Sequence, residues 1–291
     1  TGATNNTAGT LVAANAAALG TSAGGVAITS GATLEINNVN IGTEAISAAG
    51  TGVGGNGAIL GTGTAIANGA ITLTGDTTIG GTGALTLGGI IDDSTNSYSL
   101  SKLGSGTLTL SANNTFNGGV TLTAGTLNGG HNSALGTGTL TLNGGTFGAS
   151  TGSLTFANAI TLGSSATIGG TNDFTLSGVI GISGGNALNK SGNNAITLSG
   201  TNLYTGATNI TAGTLIATNA AALGTTDAGT TITSGATLEI NNVNIGAEAI
   251  SVAGTGVGGN GAILGTGTAT AGGAITLTNN TTIGGTGALT L

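Results

Sequence analysis

The chain contains no cysteine, proline, methionine or tryptophan, and charged residues make up only 4% of it, against about 25% in an average domain. Without cysteine there is neither a disulfide nor a thiolate ligand, and a single histidine, His131, excludes a two-histidine zinc site within the chain. The only basic residues are Lys102 and Lys190, against nine acidic ones, which argues against nucleic acid as a partner. No apolar run of 18 residues occurs, so no membrane-spanning helix is predicted.

The composition is dominated by glycine and by small polar and aliphatic residues. There are 61 glycines in 291 residues, hydrophobic residues make up 38%, and the mean hydropathy is +0.39. Disorder is not expected, because it normally needs low hydrophobicity and high net charge. Collagen is excluded because glycine lacks a three-residue period and proline is absent. With 2% aromatic residues, any core must be built from Leu, Ile, Val and Ala.

Two short alternating runs, Thr107–Ser111 and Val120–Thr123, place Leu or Val on one face and Thr or Ser on the other, which is the period of a β-strand. Asn and Gly residues between them supply turn chemistry. The whole stretch Leu100–Leu127 recurs 88 positions later, where Lys190 matches Lys102 and Tyr204 matches Phe116. A strand-and-turn unit that returns with its turns intact is typical of stacked β-structure.

The segment Lys102–Leu127 closely resembles the passenger-associated strand repeat of bacterial autotransporters, and Lys190–Leu215 resembles it well. Looser similarities occur at Ala134-Leu135-Gly136 and Ala222-Leu223-Gly224. The resemblance implies a right-handed parallel β-helix displayed on, or released from, the outer surface of a Gram-negative cell.

Two nested repeats organise the chain. Residues 1–87 return as 205–291 with 14 differences, and a degenerate pair, 71–135 and 160–223, lies inside that 204-residue repeat. We therefore expect one continuous β-solenoid over residues 1–291, without separate domains, taken from a longer tandem array.

The sequence predicts an all-β chain of strands three to five residues long, bounded by Gly, Asn or Ser. Short strands also suit a sandwich, barrel or propeller, but the long repeat and the resemblance favour a right-handed parallel β-helix (β-solenoid). At roughly 20–25 residues per coil it has about a dozen coils. The runs Asn15–Gly20 and Asn219–Gly224 are too short for independent helices. Predicted strands include Thr33–Ile36, Ala70–Thr74, Thr77–Ile79, Ala84–Leu87 and Leu154–Phe156.

Glycine-rich motifs predict no cofactor or metal. Gly52-x-Gly54-x-x-Gly57, repeated from Gly256, has a dinucleotide-binding spacing but opens no predicted helix. Gly80-Gly81-Thr82-Gly83 and its copy from Gly284 resemble the start of a calcium-binding coil. Leu85 and Leu289 stand where that coil needs a carboxylate, and only Asp173 approaches the pattern.

The acidic and basic residues predict no catalytic site. Asp92-Asp93, the only adjacent carboxylates, are assigned to a loop, and His131 to a Gly-Gly-His-Asn turn. We expect Lys102 and Lys190 to cover a coil corner with the aliphatic stem while the ammonium stays in water. Outward-facing, solubilising charge is predicted for Glu35, Glu44, Glu239 and Glu248.

Threonine pairs are the recurring surface feature, and ice binding needs them to stack in one flat file; otherwise Thr simply suits strands. These pairs are Thr72/Thr74, Thr107/Thr109, Thr121/Thr123, Thr139/Thr141 and Thr276/Thr278.

The sequence predicts a structural, non-enzymatic protein outside the bacterial cell: a stiff surface stalk or filament that supports adhesion, aggregation or a matrix. We expect copies of the chain to associate with one another, along or beside the solenoid axis. The alternatives are an adhesin module that binds a glycan or host surface and, less favoured, an ice-binding solenoid or a polysaccharide-active β-helix enzyme.

Overall fold

The computed structural model describes residues 2–181 and 184–291, and over these the chain is an all-β parallel β-solenoid of about 14 turns. It divides into two compact units, Thr1–Thr141 and Leu142–Leu291. The prediction of an all-β parallel solenoid is confirmed, while its right-handed sense and the undivided domain stay predictions. The only helical elements in the described part are two 3-10 turns, Val53–Gly55 and Val257–Gly259.

The first unit contains short strands joined by turns. They are β1 (Thr4–Asn6), β2 (Gly9–Ala13), β3 (Val26–Ile28), β4 (Ala32–Asn37), β5 (Ile46–Gly50), β6 (Ile59–Thr62), β7 (Thr64–Ala67), β8 (Ile71–Gly81), β9 (Ala84–Leu87), β10 (Ile91–Asp92), β11 (Leu100–Lys102), β12 (Thr107–Leu110), β13 (Val120–Leu122) and β14 (Thr126–Gly129). Next in the chain is β15 (Leu140–Leu142).

The second unit also contains short strands joined by turns. Its strands are β16 (Thr146–Ala149), β17 (Leu154–Phe156), β18 (Ile160–Leu162), β19 (Ala166–Ile168), β20 (Phe174–Leu176), β21 (Leu188–Lys190), β22 (Ala195–Leu198), β23 (Thr208–Ile210), β24 (Thr214–Ala217), β25 (Thr230–Ile232), β26 (Thr237–Asn241), β27 (Ile250–Gly254), β28 (Ile263–Thr266), β29 (Thr268–Thr270), β30 (Ile275–Thr281), β31 (Ile283–Gly285) and β32 (Ala288–Thr290).

Strands pair with their equivalents one coil away. In the first unit the hydrogen-bonded orders are β1-β3-β5-β8-β11-β13, β2-β4-β6-β8 and β7-β9-β12-β14; in the second they include β16-β19-β21-β23-β25-β27-β30 and β17-β20-β22-β24-β26-β28-β31. Coil length varies: 19 residues separate the partners Thr107 and Thr126, and 25 separate Leu34 and Ile59. The described pairs are all parallel, so each strand lies against a later or earlier coil and not against a hairpin neighbour.

Alternation explains why these runs form strands. In β12, Leu108 and Leu110 are buried while Thr107 and Thr109 are half-buried, as a period of two requires. Leu, Ile, Val and Ala fill the interior of both units. The second unit adds Phe147, Phe156 and Phe174, whose rings meet edge to face with centroids 5.0–5.8 Å apart. The predicted strands at Ala70–Thr74 and Thr77–Ile79 are one strand, β8, whose register with β5 shifts between Ala48 and Gly50.

Candidate functional site

The most distinctive local structure is a pair of corners built around the two lysines. Lys102 ends β11 and is only 2% exposed. Its Nζ donates hydrogen bonds to three backbone carbonyl oxygens: Leu103 at 2.7 Å, Gly104 at 2.8 Å and, one coil further, Ala124 at 3.1 Å. The ammonium therefore ties together the same corner of two adjacent coils. We call Lys102, Leu103, Gly104 and Ala124 the first lysine corner.

The second lysine corner, Lys190 with Ser191, Gly192 and Ala212, repeats this geometry in the other unit. Lys190 is fully buried, and its Nζ lies 2.9, 2.8 and 3.0 Å from the three carbonyl oxygens. A fourth acceptor, Asn194 Oδ1, lies 3.2 Å away. The first corner has Gly106 at the equivalent position, so only the second corner adds a side-chain amide.

The expectation that these ammonium groups stay in water is wrong. A charge is costly to bury unless hydrogen bonds replace its hydration, and here the carbonyl oxygens that end the strands do so. Burial lowers the pKa of Lys102 to about 8. Burial also lowers the pKa of Lys190 to about 8, opposed in part by the negative charge of Asp173.

Glycine makes room for each ammonium. Gly125 follows Ala124 at φ +71°, and a Cβ there would lie 2.8 Å from Lys102 Nζ. Gly213 stands at φ +65° in the second corner, with the same 2.8 Å to Lys190 Nζ. A side chain at either position would therefore meet the ammonium and strain the backbone.

Two buried asparagines bridge three successive coils. Asn114 Oδ1 accepts from Ile91 N at 2.8 Å, while its Nδ2 donates to Ala134 O at 2.6 Å. Asn202 does the same between Ile180 N (2.9 Å) and Ala222 O (2.7 Å). The sequence indicated only turn chemistry for Asn114, whereas its side chain satisfies backbone groups above and below its own coil.

A buried chain of polar groups distinguishes the second unit. Tyr204 Oη lies 2.6 Å from Thr208 Oγ1. Since Thr208 donates its own proton to Leu223 O at 3.3 Å, Tyr204 is the donor to Thr208. Burial raises the pKa of Tyr204, and the charge of Glu248 adds to the rise. The equivalents of Tyr204 and Thr208 in the first unit are Phe116 and Val120, so both hydroxyls are absent together there.

The carboxylates of Glu44 and Glu248 are buried, at 3% and 2% exposure, so the prediction of outward-facing charge is wrong for both. Glu248 Oε1 accepts from Thr230 Oγ1 at 2.7 Å; burial raises the pKa of Glu248, and that hydrogen bond opposes the rise. Glu44 Oε1 has no hydrogen-bond partner among the described residues. The reason is visible in the sequence, because Val26 stands where the other repeat has Thr230.

Glu35 and Glu239 face outward but are half-buried. Glu35 Oε1 accepts from Thr62 Oγ1 at 3.0 Å, and Glu239 Oε1 accepts from Thr266 Oγ1 at 2.9 Å. Both carboxylates are thus held in place by the next coil.

Asp92 and His131 accept from backbone N–H groups of their own turns, whereas Asp93 and Asp173 accept from a neighbouring coil. Asp92 ends β10, where a loop was predicted, and its carboxylate accepts from Ser94 N. Asp93 is buried, and its Oδ2 accepts from Asn117 N at 3.0 Å. His131 Nδ1 accepts from Ser133 N at 3.0 Å. Exposed Asp173 accepts from Ala195 N at 2.7 Å.

The glycine motifs lie in turns and strand ends. Gly52–Gly57 encloses the 3-10 turn Val53–Gly55, which no α-helix follows. Leu85, at the place that a calcium-binding coil needs for a carboxylate, is buried in β9. Within residues 2–181 and 184–291 no group of three or more His, Cys, Asp or Glu side chains has the arrangement of a metal site.

The pair Thr107/Thr109 does not continue from coil to coil as a pair of threonines. Beside Thr107 and Thr109 of β12 stand Ala84 and Thr86 of β9 on one side, and Thr126 and Asn128 of β14 on the other. The file therefore mixes Thr with Ala and Asn.

Among the described residues no helix has the length and apolar character needed to cross a membrane.

The family comparison matches the two stretches that contain the lysine corners. The model of the passenger-associated-transport-repeat family matches residues 100–128 and 188–217. No curated protein and no solved structure gives a significant match to the chain. Each matched stretch contains one lysine, its carbonyl acceptors and the glycine that makes room for it. With two such repeats on a parallel β-solenoid, the chain matches an autotransporter passenger-type repeat protein.

Proposed function

We propose that this protein is a structural passenger segment that reaches the outer surface of a bacterial cell and serves there as a stiff stalk or filament supporting adhesion, aggregation or a matrix. The observation that carries the proposal is the coincidence of both family matches with the lysine corners. Each corner ties consecutive coils through a buried side chain, which suits a segment that must hold its shape without disulfides.

Parallel pairing within each unit supports a mechanical role. Strand after strand bonds to the coil before and the coil after it, and buried aliphatic side chains line the interior. Pulling such a stack apart requires several inter-coil hydrogen bonds to break together. The polar side chains described above cap corners and bridge coils, so we infer a structural role for them and no catalytic one.

Export can be tested by fusing the chain between a secretion signal and an autotransporter translocation domain, with an epitope tag at its amino end. We expect the tag on intact Gram-negative cells to be accessible to antibody and to external protease. The matched variant is the same fusion with Lys102→Met and Lys190→Met. In this variant we expect protease to cut the passenger itself and not only the exposed tag. A wild-type passenger that stays inside the cell, while a known passenger in the same vector is exported, contradicts the proposal.

Self-association belongs to the same proposal. Charged residues make up only 4% of the chain, so few like charges keep copies of it apart. We expect sedimentation velocity to show concentration-dependent association. A wild-type chain that stays monomeric at high concentration argues against it.

An adhesin module is the second candidate function, favoured by one observation: a concave pocket beside Glu35 recurs beside Glu239.

A further inference from the structure

We infer that the pocket beside Glu35, and its copy beside Glu239, bind a neutral, hydroxyl-rich ligand of the size of one or two sugar residues. The inference rests on the adhesin candidate alone and is independent of export and of the stalk role. It assigns a ligand class to residues outside the core; Leu103 and Gly104 give their carbonyl oxygens to the first lysine corner and also line the first pocket.

Each pocket lies within one unit. The first has a volume of about 520 Å³ and is lined by Glu35, Asn56, Leu60, Thr62, Thr82 and Leu103, among others. The second, of about 380 Å³, is lined by Glu239, Asn260, Leu264, Thr266, Gly285 and Thr286. Five of these side chains correspond one to one across the 204-residue repeat. Both volumes fall in the range of about 300–1,000 Å³ that is usual for small-molecule sites.

Glycines let the coils approach closely at the first pocket, where Gly81 and Gly104 belong to the lining. Gly61 of β6 is the register partner of Gly81 in β8, and a Cβ on Gly81 would collide with the backbone oxygen of Gly61. A Cβ on Gly104, one coil further, would collide with the oxygen of Gly81. Gly81 and Gly104 have φ of +111° and +74°, which L-residues rarely adopt. The lining of the first pocket therefore combines glycine backbone with the side chains named above.

The first pocket combines a carboxylate, which accepts hydrogen bonds, with side chains that both donate and accept them. Glu35 faces outward from β4 beside its register partner Leu60, and Thr62 holds its carboxylate with a hydrogen bond of 3.0 Å. The Thr hydroxyls and the Asn56 amide each both donate and accept. Exposed Asn56 stands at the end of the glycine turn, anchored through Nδ2 to Val53 O at 3.3 Å.

This chemistry selects the ligand class. A polyol presents donors to a carboxylate and both donors and acceptors to Thr and Asn. The half-buried side chains of Leu60 and Leu103 offer an apolar surface to the C–H face of a sugar ring. The described lining contains a carboxylate and no cation, so an acidic sugar meets repulsion.

The test is a titration followed by methyl NMR of leucine-labelled full chain, with neutral disaccharides (maltose, cellobiose, mannobiose, chitobiose and lactose) as probes and digalacturonate as the acidic comparison. We expect at least one neutral disaccharide to cause saturable shifts of the Leu60, Leu103 and Leu264 methyls, and digalacturonate to bind at least tenfold more weakly.

The variant pair separates charge at the pocket from charge elsewhere. Glu35→Gln combined with Glu239→Gln keeps side-chain size and is expected to weaken the neutral ligand about tenfold. Asp227→Asn, an exposed change outside both pockets, is expected to leave it unchanged. The inference is overturned if no neutral disaccharide gives saturable shifts, if digalacturonate binds as well as the neutral sugars, or if the double variant binds like wild type. Leucine spectra that otherwise match wild type show that the variants are folded.

Discussion

Replacing Lys102 by Met tests the role of the lysine corner directly. Methionine keeps most of the aliphatic stem and removes the ammonium. The carbonyl oxygens of Leu103, Gly104 and Ala124 then lose the donor that now lies 2.7–3.1 Å from them.

The cost follows from those three contacts. A hydrogen bond to a charged group contributes about 1.5–3 kcal/mol when its partner is buried. The three acceptor residues are half-buried, so water replaces part of each bond, and loss of the buried charge returns some desolvation energy. About 1 kcal/mol per carbonyl gives a loss of about 3 kcal/mol in the free energy of unfolding. For a unit of this size that lowers Tm by about 6–12 °C.

Urea unfolding and differential scanning calorimetry measure the loss, and hydrogen exchange localises it. The amide of Thr123, which bonds Lys102 O at 3.0 Å, should exchange faster in the variant. Thr151→Asp, at an exposed position, changes the net charge by the same amount and serves as the control. If Lys102→Met unfolds within about 0.5 kcal/mol of wild type, as an exposed substitution does, the ammonium does not hold the corner.

The same corners predict a pH dependence. Because the folded-state pKa of each lysine is lowered from 10.5 to about 8, the unfolded chain binds more protons than the native protein between these values. This difference in proton binding adds to stability above pH 10.5, and the addition is lost as the pH falls through about 8, where each ammonium keeps its hydrogen bonds at a cost in desolvation. We expect Lys102→Met with Lys190→Met to flatten the urea-unfolding profile across this window. If the free energy of unfolding of the double variant depends on pH as in wild type, the two lysines are not the groups that titrate in this window.

Three further outcomes follow from the buried polar groups. Val26→Thr should supply the missing donor to Glu44 Oε1 and stabilise the chain by about 1 kcal/mol in urea unfolding; a destabilised variant opposes the equivalence of the two repeats. Burial raises the pKa of Glu248 above 4.5, so its contribution to stability is complete below pH 4.5 and is lost as the pH rises through the folded value. Glu248→Gln should remove this pH dependence of the free energy of unfolding, measured by urea unfolding at several pH values. A pH dependence that persists in the variant comes from other groups. Tyr204→Phe and Thr208→Val should show a coupling of about 1 kcal/mol in a double-mutant cycle, and additive losses contradict their hydrogen bond.

Much of the fold was predictable because strand alternation is a local signal. The runs around Leu108 and Phe174 alternate strictly, and the structure places strands at both. Strands such as Ile59–Thr62 and Thr126–Gly129 were not among those predicted, because glycine interrupts the alternation and lowers strand propensity. Neighbouring coils supply the pairing that those residues do not specify by themselves.

The corners were less predictable, because they depend on where carbonyl oxygens from different coils converge. A lysine in a Gly- and Ser-rich turn ordinarily extends into water. The signal that was present is the pairing of Lys102 with Gly125 and of Lys190 with Gly213, at one spacing in both copies. Likewise, the joint change from Phe116 and Val120 to Tyr204 and Thr208 indicates a hydroxyl contact that neither copy reveals alone.

Disulfide trapping tests the parallel stacking of coils most directly, and the absence of cysteine leaves a clean background. Thr109 and Asn128 are register partners on adjacent parallel strands, and a strand spacing of about 4.8 Å lies within the Cα separation that a disulfide accepts. We predict that Thr109→Cys with Asn128→Cys crosslinks rapidly under mild oxidation. Thr109→Cys with Thr126→Cys, two residues out of register, should crosslink far more slowly. Equal rates, or faster trapping of the second pair, contradict the parallel β-solenoid and its register.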